Sequence, residues 1–260
     1  MAAEALKDNY CVDPSCNSHY CTHDYNLTAC YEKAHVLYPR KTGFLIDQES
    51  AVEAFKDMWN PAFICMCNHT VQKKEFCVHG YLYSTGEQAM LGAKVEASIE
   101  NEAEREIVMK QVSELTDIED IFWFGRPGRP DHPDAGQEYK LNFNKWDNKP
   151  TKTLDGERLI SYRRAQVEVY HVAMVIADIE LFARLLNVGK TNFVKIDDHP
   201  YWGVGKDGKG ANWLGVSWDN VLAMIRKISK WPVDAVFDPE KAECIADFAK
   251  VCAHFAPLVC

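Results

Sequence analysis

The stretch that most constrains the fold of this chain runs from Tyr83 to Lys94 and reads Tyr-Ser-Thr-Gly-Glu-Gln-Ala-Met-Leu-Gly-Ala-Lys. Tyr83 ends a short aromatic run typical of a strand, and Ser84 predicts a helix N-cap with Glu87 three residues later. In the helix that follows, positions 87, 90, 91 and 94 share one face, because they are spaced i, i+3, i+4 and i+7. That face carries an acid at one end, two apolar residues in the middle and a lysine at the other end.

The two charged groups on this face suggest a catalytic pair. A carboxylate and an amine two helical turns apart, about 10 Å along the axis, cannot pair directly, but both can reach a ligand lying across the apolar middle. Glu87 and Lys94 are therefore candidate catalytic residues. A plain structural interpretation stays open: Glu87 can complete a capping box, and Lys94 can be a solvated surface lysine.

Length and composition limit the class of protein. A chain of 260 residues can bury one sizeable core, which favours a single domain with additions. No apolar run approaches ~18 residues, so no membrane span is predicted. The first residues lack the regions of a secretory signal, which predicts an intracellular protein, cytoplasmic or nuclear, whose ten cysteines are mostly reduced. A net charge of −9 argues against a protein that grips long nucleic acid through its phosphates, but permits a pocket for one nucleotide.

Residues 10–35 are rich in cysteine and histidine, a composition that raises the possibility of zinc binding. Their cysteines are Cys11, Cys16, Cys21 and Cys30. Four or eight residues separate these cysteines, whereas structural zinc sites favour C-x2-C pairs. We therefore favour a loop or cap with free thiols over a metal site, and predict no bound metal.

The remaining patterns predict a mainly helical chain with a few short strands. Apolar periodicity predicts helices over 49–59, 98–115, 158–186 and 214–228, and a final helix capped by Asp238. In the helix over 98–115 the acidic run 100–106 is predicted to be solvated. The predicted core faces are Ile99, Ala103, Ile107 and Val112 in the helix over 98–115, Val167, Tyr170, Met174, Ala177, Leu181 and Leu185 in the helix over 158–186, and Leu214, Trp218, Val221, Leu222, Ile225 and Ile228 in the helix over 214–228. Apolar and aromatic runs predict strands over 62–67, 76–83 and 193–196. Residues 125–156 are rich in proline and glycine without a sustained period, which predicts an irregular excursion able to cover a substrate.

A second stretch of interest is the glycine-rich segment from Tyr201 to Gly215. A glycine-rich loop that enters a helix start can expose backbone N–H groups to an anion, and Lys206 and Lys209 add positive charge. The segment matches neither of the standard glycine-rich nucleotide motifs. It predicts a phosphate contact, with a plain glycine-rich hairpin as the alternative.

Two blocks of the sequence, in this order, carry a family resemblance. The first is Tyr83-x-Thr85-x-Glu87-Gln88 followed by Lys94, and the second is Trp202-Gly203-x-Gly205, then Gly210-x-Asn212-x-Leu214-Gly215, then Arg226. Together they resemble the NADAR family, also called YbiA-like, over roughly residues 60–228. The resemblance implies a single YbiA-like domain over 46–235, which is mainly helical with a few short strands. Outside the family pattern are a Cys/His-rich extension at 1–45, an irregular insertion at 124–157 and a C-terminal helix at 236–260 packed on the domain.

The resemblance implies an N-glycosidase that hydrolyses a bond between ribose C1 and an exocyclic amine, without metal or organic cofactor. The substrate it implies is ADP-ribose attached to the guanine amino group in DNA or RNA, with ADP-ribose as product. Phosphoribosylamino-pyrimidine intermediates of riboflavin synthesis are the alternative. No membrane and no obligate protein partner are implied. By position, Glu87 and Lys94 are catalytic, and the implied ligand contacts are Tyr83, Trp202, Gly203, Gly205, Asn212, Gly215 and Asp198.

The chain departs from the family pattern at three places. The family's Ser-Asn-Phe motif is only faintly echoed at Asn60, and its Lys-Phe followed by Asn is replaced around 173–178. Its acid before the Trp-Gly has no clear counterpart, with Asp197 and Asp198 as candidates. These departures keep open a third hypothesis, a non-catalytic module that binds ADP-ribose or a nucleotide.

The implied chemistry allows two roles for Lys94. A glycosylamine opens to an imine, so a neutral lysine can exchange with it and release the base amine while Glu87 moves protons. Alternatively, Glu87 activates water directly and Lys94 balances charge in an oxocarbenium-like transition state.

Overall fold

The computed structural model describes residues 34–37, 66, 68, 71–124, 141, 146, 149–154, 156, 159–188, 192–195, 199–205 and 210–260. These residues fall into two compact units. Unit 1 takes its described residues from 1–67 and 184–237, and unit 2 takes them from 68–183 and 238–260. The described part of the chain is mainly helical with a few short strands, which confirms the predicted fold class at that level.

Short strands and longer helices alternate along the described residues. The strands are β1 (Ala34–Leu37), β2 (Phe76–Val78), β3 (Tyr81–Tyr83), β4 (Pro150–Lys152), β5 (Leu159–Ser161) and β6 (Asn192–Lys195). The helices are α1 (Gly86–Ser98), α2 (Glu102–Glu114), α3 (Ile118–Trp123), α4 (Tyr162–Ala177), α5 (Ile179–Leu186), α6 (Trp213–Ser229) and α7 (Ala242–Val259). Strand β1 pairs with β6 in parallel, whereas β2–β3 and β4–β5 are antiparallel pairs. Because every described sheet has two strands, the helices supply most of the core.

In unit 2, β2 and β3 form a tight hairpin that leads directly into α1. The two turn residues, His79 and Gly80, have positive φ angles of 51° and 83°, the combination that a type I′ hairpin turn requires. The prediction of a single strand over 76–83 is therefore wrong. Aromatic and apolar residues continue on both sides of the turn, and the turn is marked in the sequence only by the His79-Gly80 pair. Composition alone therefore does not reveal the turn.

The side chain of Gln88 fixes α1 against the end of α2. Its amide nitrogen donates to the carbonyl oxygens of Val112, Ser113 and Leu115, at 2.8, 3.1 and 2.9 Å. Carbonyls in the last turn of a helix have no intrahelical partner. One buried side chain thus satisfies the end of α2 and fixes how the two helices meet.

Helix α2 is shorter than the predicted helix over 98–115. The chain breaks after Ser98, and α2 begins at Glu102, because the Asn101 side chain accepts a 3.0 Å hydrogen bond from the backbone N–H of Glu104. The predicted apolar stripe is wrong at Ile107, which is 60% exposed, and at Ala103, which is also exposed. The acidic run over 100–106 is solvated, as predicted. The buried residues of α2 are Val108, Met109 and Val112.

The predicted continuous helix over 158–186 is interrupted twice. Its first residues form β5, because they pair with β4 in a hairpin. It breaks again at Asp178, which is extended and whose carboxylate accepts the backbone N–H of Glu180 at 3.0 Å. The core face of the two helices is largely as predicted, with Ala177 only partly buried. Its buried members are Val167, Tyr170, Met174, Leu181 and Leu185.

Helix α7 packs along α4 in unit 2. It begins at Ala242 rather than directly after Asp238, because the Asp238 carboxylate instead accepts the Glu240 N–H at 3.1 Å within a turn. At the other end of α7, Cys260 forms a disulfide with Cys77 of β2. This pair is an exception to the expectation of reduced cysteines.

In unit 1, β6 pairs with β1 and packs against α6. The bounds and core face of α6 match the prediction over 214–228 apart from Ile228, which is only partly buried. The Asp219 carboxylate of α6 accepts the backbone N–H of Phe193 in β6 at 3.0 Å. Strand β1 belongs to the segment predicted as an extension, yet its four residues pair with β6. Parallel strands far apart in sequence carry no local pairing signal, so this contact was not predictable.

Several predicted elements lie outside the described residues. They are the helix over 49–59, most of the strand over 62–67, and the cysteine-rich residues before Ala34. Among the helices that the structure describes, none is long and apolar enough to cross a membrane.

We predict that Gln88→Glu destabilises unit 2. A carboxylate in this position accepts hydrogen bonds but donates none, so it faces the carbonyl oxygens at the end of α2 without a partner there. The free energy of unfolding should fall by about 2–3 kcal/mol, measured by urea denaturation. Gln111→Glu on the exposed face of α2 is the matched control and should change it by less than about 0.5 kcal/mol. Equal stability of the two variants would contradict the assignment.

Candidate active site

The first turn of α1 is capped by Thr85 and Gln88. The Thr85 hydroxyl oxygen accepts the backbone N–H of Gln88 at 3.1 Å, and the Gln88 side-chain oxygen accepts the backbone N–H of Ser84 at 2.8 Å. The prediction of Ser84 as N-cap is therefore wrong by one residue. With Gln88 in the reciprocal position of the cap, Glu87 is not the capping partner.

Glu87 and Lys94 are both buried, at 4% and 6% exposure. They lie on one face of α1, about 10 Å apart along its axis, with the equally buried Met90 and Leu91 between them. The surface interpretation of Lys94 is therefore wrong. Burying a carboxylate and an amine costs free energy unless each finds partners. Such groups are uncommon in cores and concentrate at functional sites.

Two further features lie beside this face of α1. The Lys94 Nζ is 6.0 Å from the centre of the Trp146 ring. At the other end, the backbone N–H of Glu87 donates to the carbonyl oxygen of Asn68 at 2.9 Å. The buried charges are therefore bordered by an indole at one end and by the Asn68 backbone at the other.

Asn68 is a candidate that the sequence analysis missed. It is 3% exposed, and its side-chain oxygen has no hydrogen-bond partner among the described residues. A buried amide oxygen in this condition is uncommon in folded proteins. Asn68 lies between the predicted strands over 62–67 and 76–83, so only its contact with Glu87 draws attention to it.

Helix α4, which packs against α1, adds two more buried titratable groups. Glu168 is 4% exposed and His171 is fully buried. They are three residues apart and thus share a face of α4. Both groups lie within the predicted helix over 158–186, and the sequence does not single out Glu168.

Tyr83 lies beneath α1 rather than at a surface. It is 1% exposed, and its hydroxyl group lies so close to Gly92 that a Cβ at that position would collide with it. Burial, and next the Glu96 carboxylate, raise the pKa of the Tyr83 phenol far above its usual value, so it stays neutral. Tyr83 therefore has a packing role that accounts for its presence.

The glycine-rich segment belongs to unit 1, where most of the backbone donors that the structure describes are already engaged. Every N–H group from Tyr201 to Val204 and from Gly210 to Leu214 donates to the His199 ring or to a carbonyl oxygen within residues 199–204 or β6. In particular, the N–H groups of Trp213 and Leu214 at the start of α6 donate to the carbonyls of Tyr201 and Trp202, both at 3.1 Å. The expectation that these N–H groups face an anion is therefore wrong, because the loop folds back over the helix start.

Asn212 and Gly215 join this segment to β6. The Asn212 side chain accepts the backbone N–H of Lys195 at 2.8 Å and donates to the carbonyl of Phe193 at 2.9 Å. A Cβ on Gly215 would collide with that same Phe193 carbonyl and with the Asn212 side chain. Both residues thus have structural roles that explain the motif without a ligand.

Three predicted contacts remain from this segment. Trp202 is half-buried, with its ring edge-on to Tyr201 at 4.7 Å between centres. Gly203 and Gly205 are buried, and Gly205 has a positive φ of 69°. Asp198, Lys206 and Lys209 lie outside the described residues. Of the predicted site, the structure thus groups Tyr83, Glu87 and Lys94 in unit 2 and the 202–215 residues in unit 1.

Comparison of the chain with protein-family models, with curated proteins and with solved structures found no significant match. Within the described residues, no three histidine, cysteine, aspartate or glutamate side chains are grouped so that they could hold a metal ion. The assignment of a site therefore depends on the geometry of unit 2 itself.

We predict that Gly215→Ala lowers the free energy of unfolding, whether or not it also affects ligand binding. The new methyl group overlaps the β6 backbone, so α6 must move, at a cost of about 1–3 kcal/mol. Urea denaturation measures this cost. Ala223→Ser, on the exposed face of the same helix, is the control and should cost less than about 0.5 kcal/mol. A Gly215→Ala protein as stable as the parent would show that close packing does not explain this glycine.

Proposed function

We propose that the protein is a NADAR-like N-glycosidase. It hydrolyses the bond between ribose C1 of ADP-ribose and the amino group of guanine in nucleic acid. The observation that carries the proposal is the burial of Glu87 and Lys94 on one face of α1. The two plain interpretations of this pair, a capping glutamate and a surface lysine, both disagree with the geometry.

The apolar middle of the face supports a role for the pair on a bound ligand. Met90 and Leu91 exclude water between the charged groups, and electrostatic effects are stronger where water is excluded. A glycosylamine placed across these two residues presents its ribose to one end and its leaving amine to the other. The proposed chemistry needs no metal ion, because Glu87 moves the protons and Lys94 supplies the nucleophile.

The ribose ring opens as Glu87 transfers the amine proton to the ring oxygen, and the C1–N bond becomes an imine between C1 and the guanine nitrogen. The neutral Lys94 amine adds to C1, and guanine leaves with its amino group restored by a proton from Glu87. This leaves an iminium between C1 and Nζ of Lys94. Water then adds to C1, Lys94 departs, and the ADP-ribose aldehyde closes to its ring form, so one water is consumed per turnover.

Turnover is the first test of this proposal. The purified protein, incubated with an oligonucleotide that carries ADP-ribosylated guanine, should release ADP-ribose and restore unmodified guanine, detected by mass spectrometry. A phosphoribosylamino-pyrimidine, assayed in parallel, should react more slowly. Faster cleavage of the pyrimidine would identify the metabolite as the substrate. A saturable thermal shift with ADP-ribose but no product from either compound would identify a binding module.

The role of Lys94 gives a second test. Lys94→Ala and Lys94→Arg should each lower kcat by roughly a hundredfold or more, because a guanidinium keeps its charge but stays protonated and cannot attack. Borohydride added during turnover should fix the substrate to Lys94, visible as a mass increase on its peptide. The control is Lys110→Arg on the exposed face of α2, which should leave kcat unchanged. Substantial activity in Lys94→Arg without a trapped adduct would favour direct attack by water.

A further inference from the structure

The side-chain amine of Lys94 lies over the indole ring of Trp146. Trp146 is 3% exposed, although it comes from the segment 124–157 that the sequence predicts to be an irregular insertion. The Lys94 Nζ lies over its ring, 6.0 Å from the centre. This distance is within the range in which the face of an aromatic ring attracts a cation.

Trp146 is held in turn by Tyr162 at the start of α4. The two rings meet edge to face, with their centres 5.8 Å apart and an interplanar angle of 82°. The Tyr162 hydroxyl donates to the Glu96 carboxylate at 2.9 Å. Burial, and next the Glu96 carboxylate, raise the pKa of the Tyr162 phenol far above its usual value, so this hydroxyl stays a donor.

The contacts form a closed chain, because Glu96 and Lys94 are both on α1. Glu96 fixes Tyr162, Tyr162 packs against Trp146, and the Trp146 face meets Lys94. The indole cannot turn away from Lys94 without losing its edge-to-face contact. If Trp146 served only to fill the core, its ring face would not need to be directed at the Lys94 amine.

We propose that Trp146 is the positioning residue for Lys94, and that its indole face stabilises positive charge at the Lys94 Nζ. This proposal deepens the proposed function and rests on it for the chemistry. In the reaction above, Nζ carries positive charge when Lys94 has added to C1 and in the iminium that follows. A cation of this kind gains from a ring quadrupole, whereas a leucine of similar bulk offers none.

The position of Lys94 can be measured without any substrate. In protein labelled with ¹³C at the lysine ε-carbon, the Lys94 signal should lie upfield of the other lysines, because it lies over an aromatic ring. Lys94→Arg identifies this signal by removing it. Trp146→Leu should return the signal to the range of exposed lysines, and Trp146→Phe should leave part of the shift. Trp231→Leu in unit 1, whose ring packs on Phe237, should not move it.

Catalysis gives the second measurement. Trp146→Leu should lower kcat roughly tenfold, which corresponds to about 1.4 kcal/mol, while KM changes by less than about threefold. Trp146→Phe should fall between this variant and the parent, and so keeps the comparison valid if the leucine variant unfolds. Tyr162→Phe, which loses only the bond to Glu96, should have a smaller effect than Trp146→Leu.

The two measurements separate the two proposals. A Lys94 signal that is not shifted in the parent, or not moved by Trp146→Leu and Trp146→Phe, overturns the positioning role whatever the activity. An unchanged kcat in both Trp146 variants also overturns the positioning role. If the parent has no turnover on either substrate, the proposed function fails. The Lys94 signal still decides whether Trp146 positions the amine.

Discussion

Unit 2 depends on the first turn of α1, where Thr85 and Gln88 cap the helix. Gln88 uses both ends of its amide, accepting from Ser84 with its oxygen and donating to the end of α2 with its nitrogen. These bonds are buried or partly buried, so their loss would leave several backbone groups poorly satisfied. The same bonds fix the first turn of α1 against α2, and the part of α1 that follows, through Val95, is buried on all sides, including Glu87 and Lys94.

The inward position of two charged groups has a cost that the fold must offset elsewhere. Replacing such groups with apolar residues of similar size is often neutral or stabilising, so their presence in a core asks for an explanation other than stability. Catalysis is one explanation, because a charged side chain in a site without water interacts more strongly with charge that develops on a bound ligand. Trp146 fits this account, since it provides Lys94 with an aromatic partner in place of solvent.

Unit 1 illustrates how a motif can have a structural origin. The glycines and the asparagine between Trp202 and Gly215 let a loop fold tightly over the start of α6 and let α6 approach β6. Gly210 also faces the backbone of Gly203 to Gly205, where a side chain would not fit. The sequence pattern resembles an anion-binding loop. The backbone N–H groups at the start of α6 nevertheless donate to carbonyl oxygens of the loop itself.

The sequence by itself determined the helical class, the core faces of α4 and α6, and the shared face of Glu87 and Lys94, because these follow from spacing along one segment. It did not determine which residue caps α1, since Ser84, Thr85, Glu87 and Gln88 allow two registers and only the contact with α2 selects one. Tertiary structure also decided the hairpin at His79, the pairing of β1 with β6 and the contact of Trp146 with Lys94. Each of these joins segments whose local sequence carries no record of the partner, and burial is a property of such contacts.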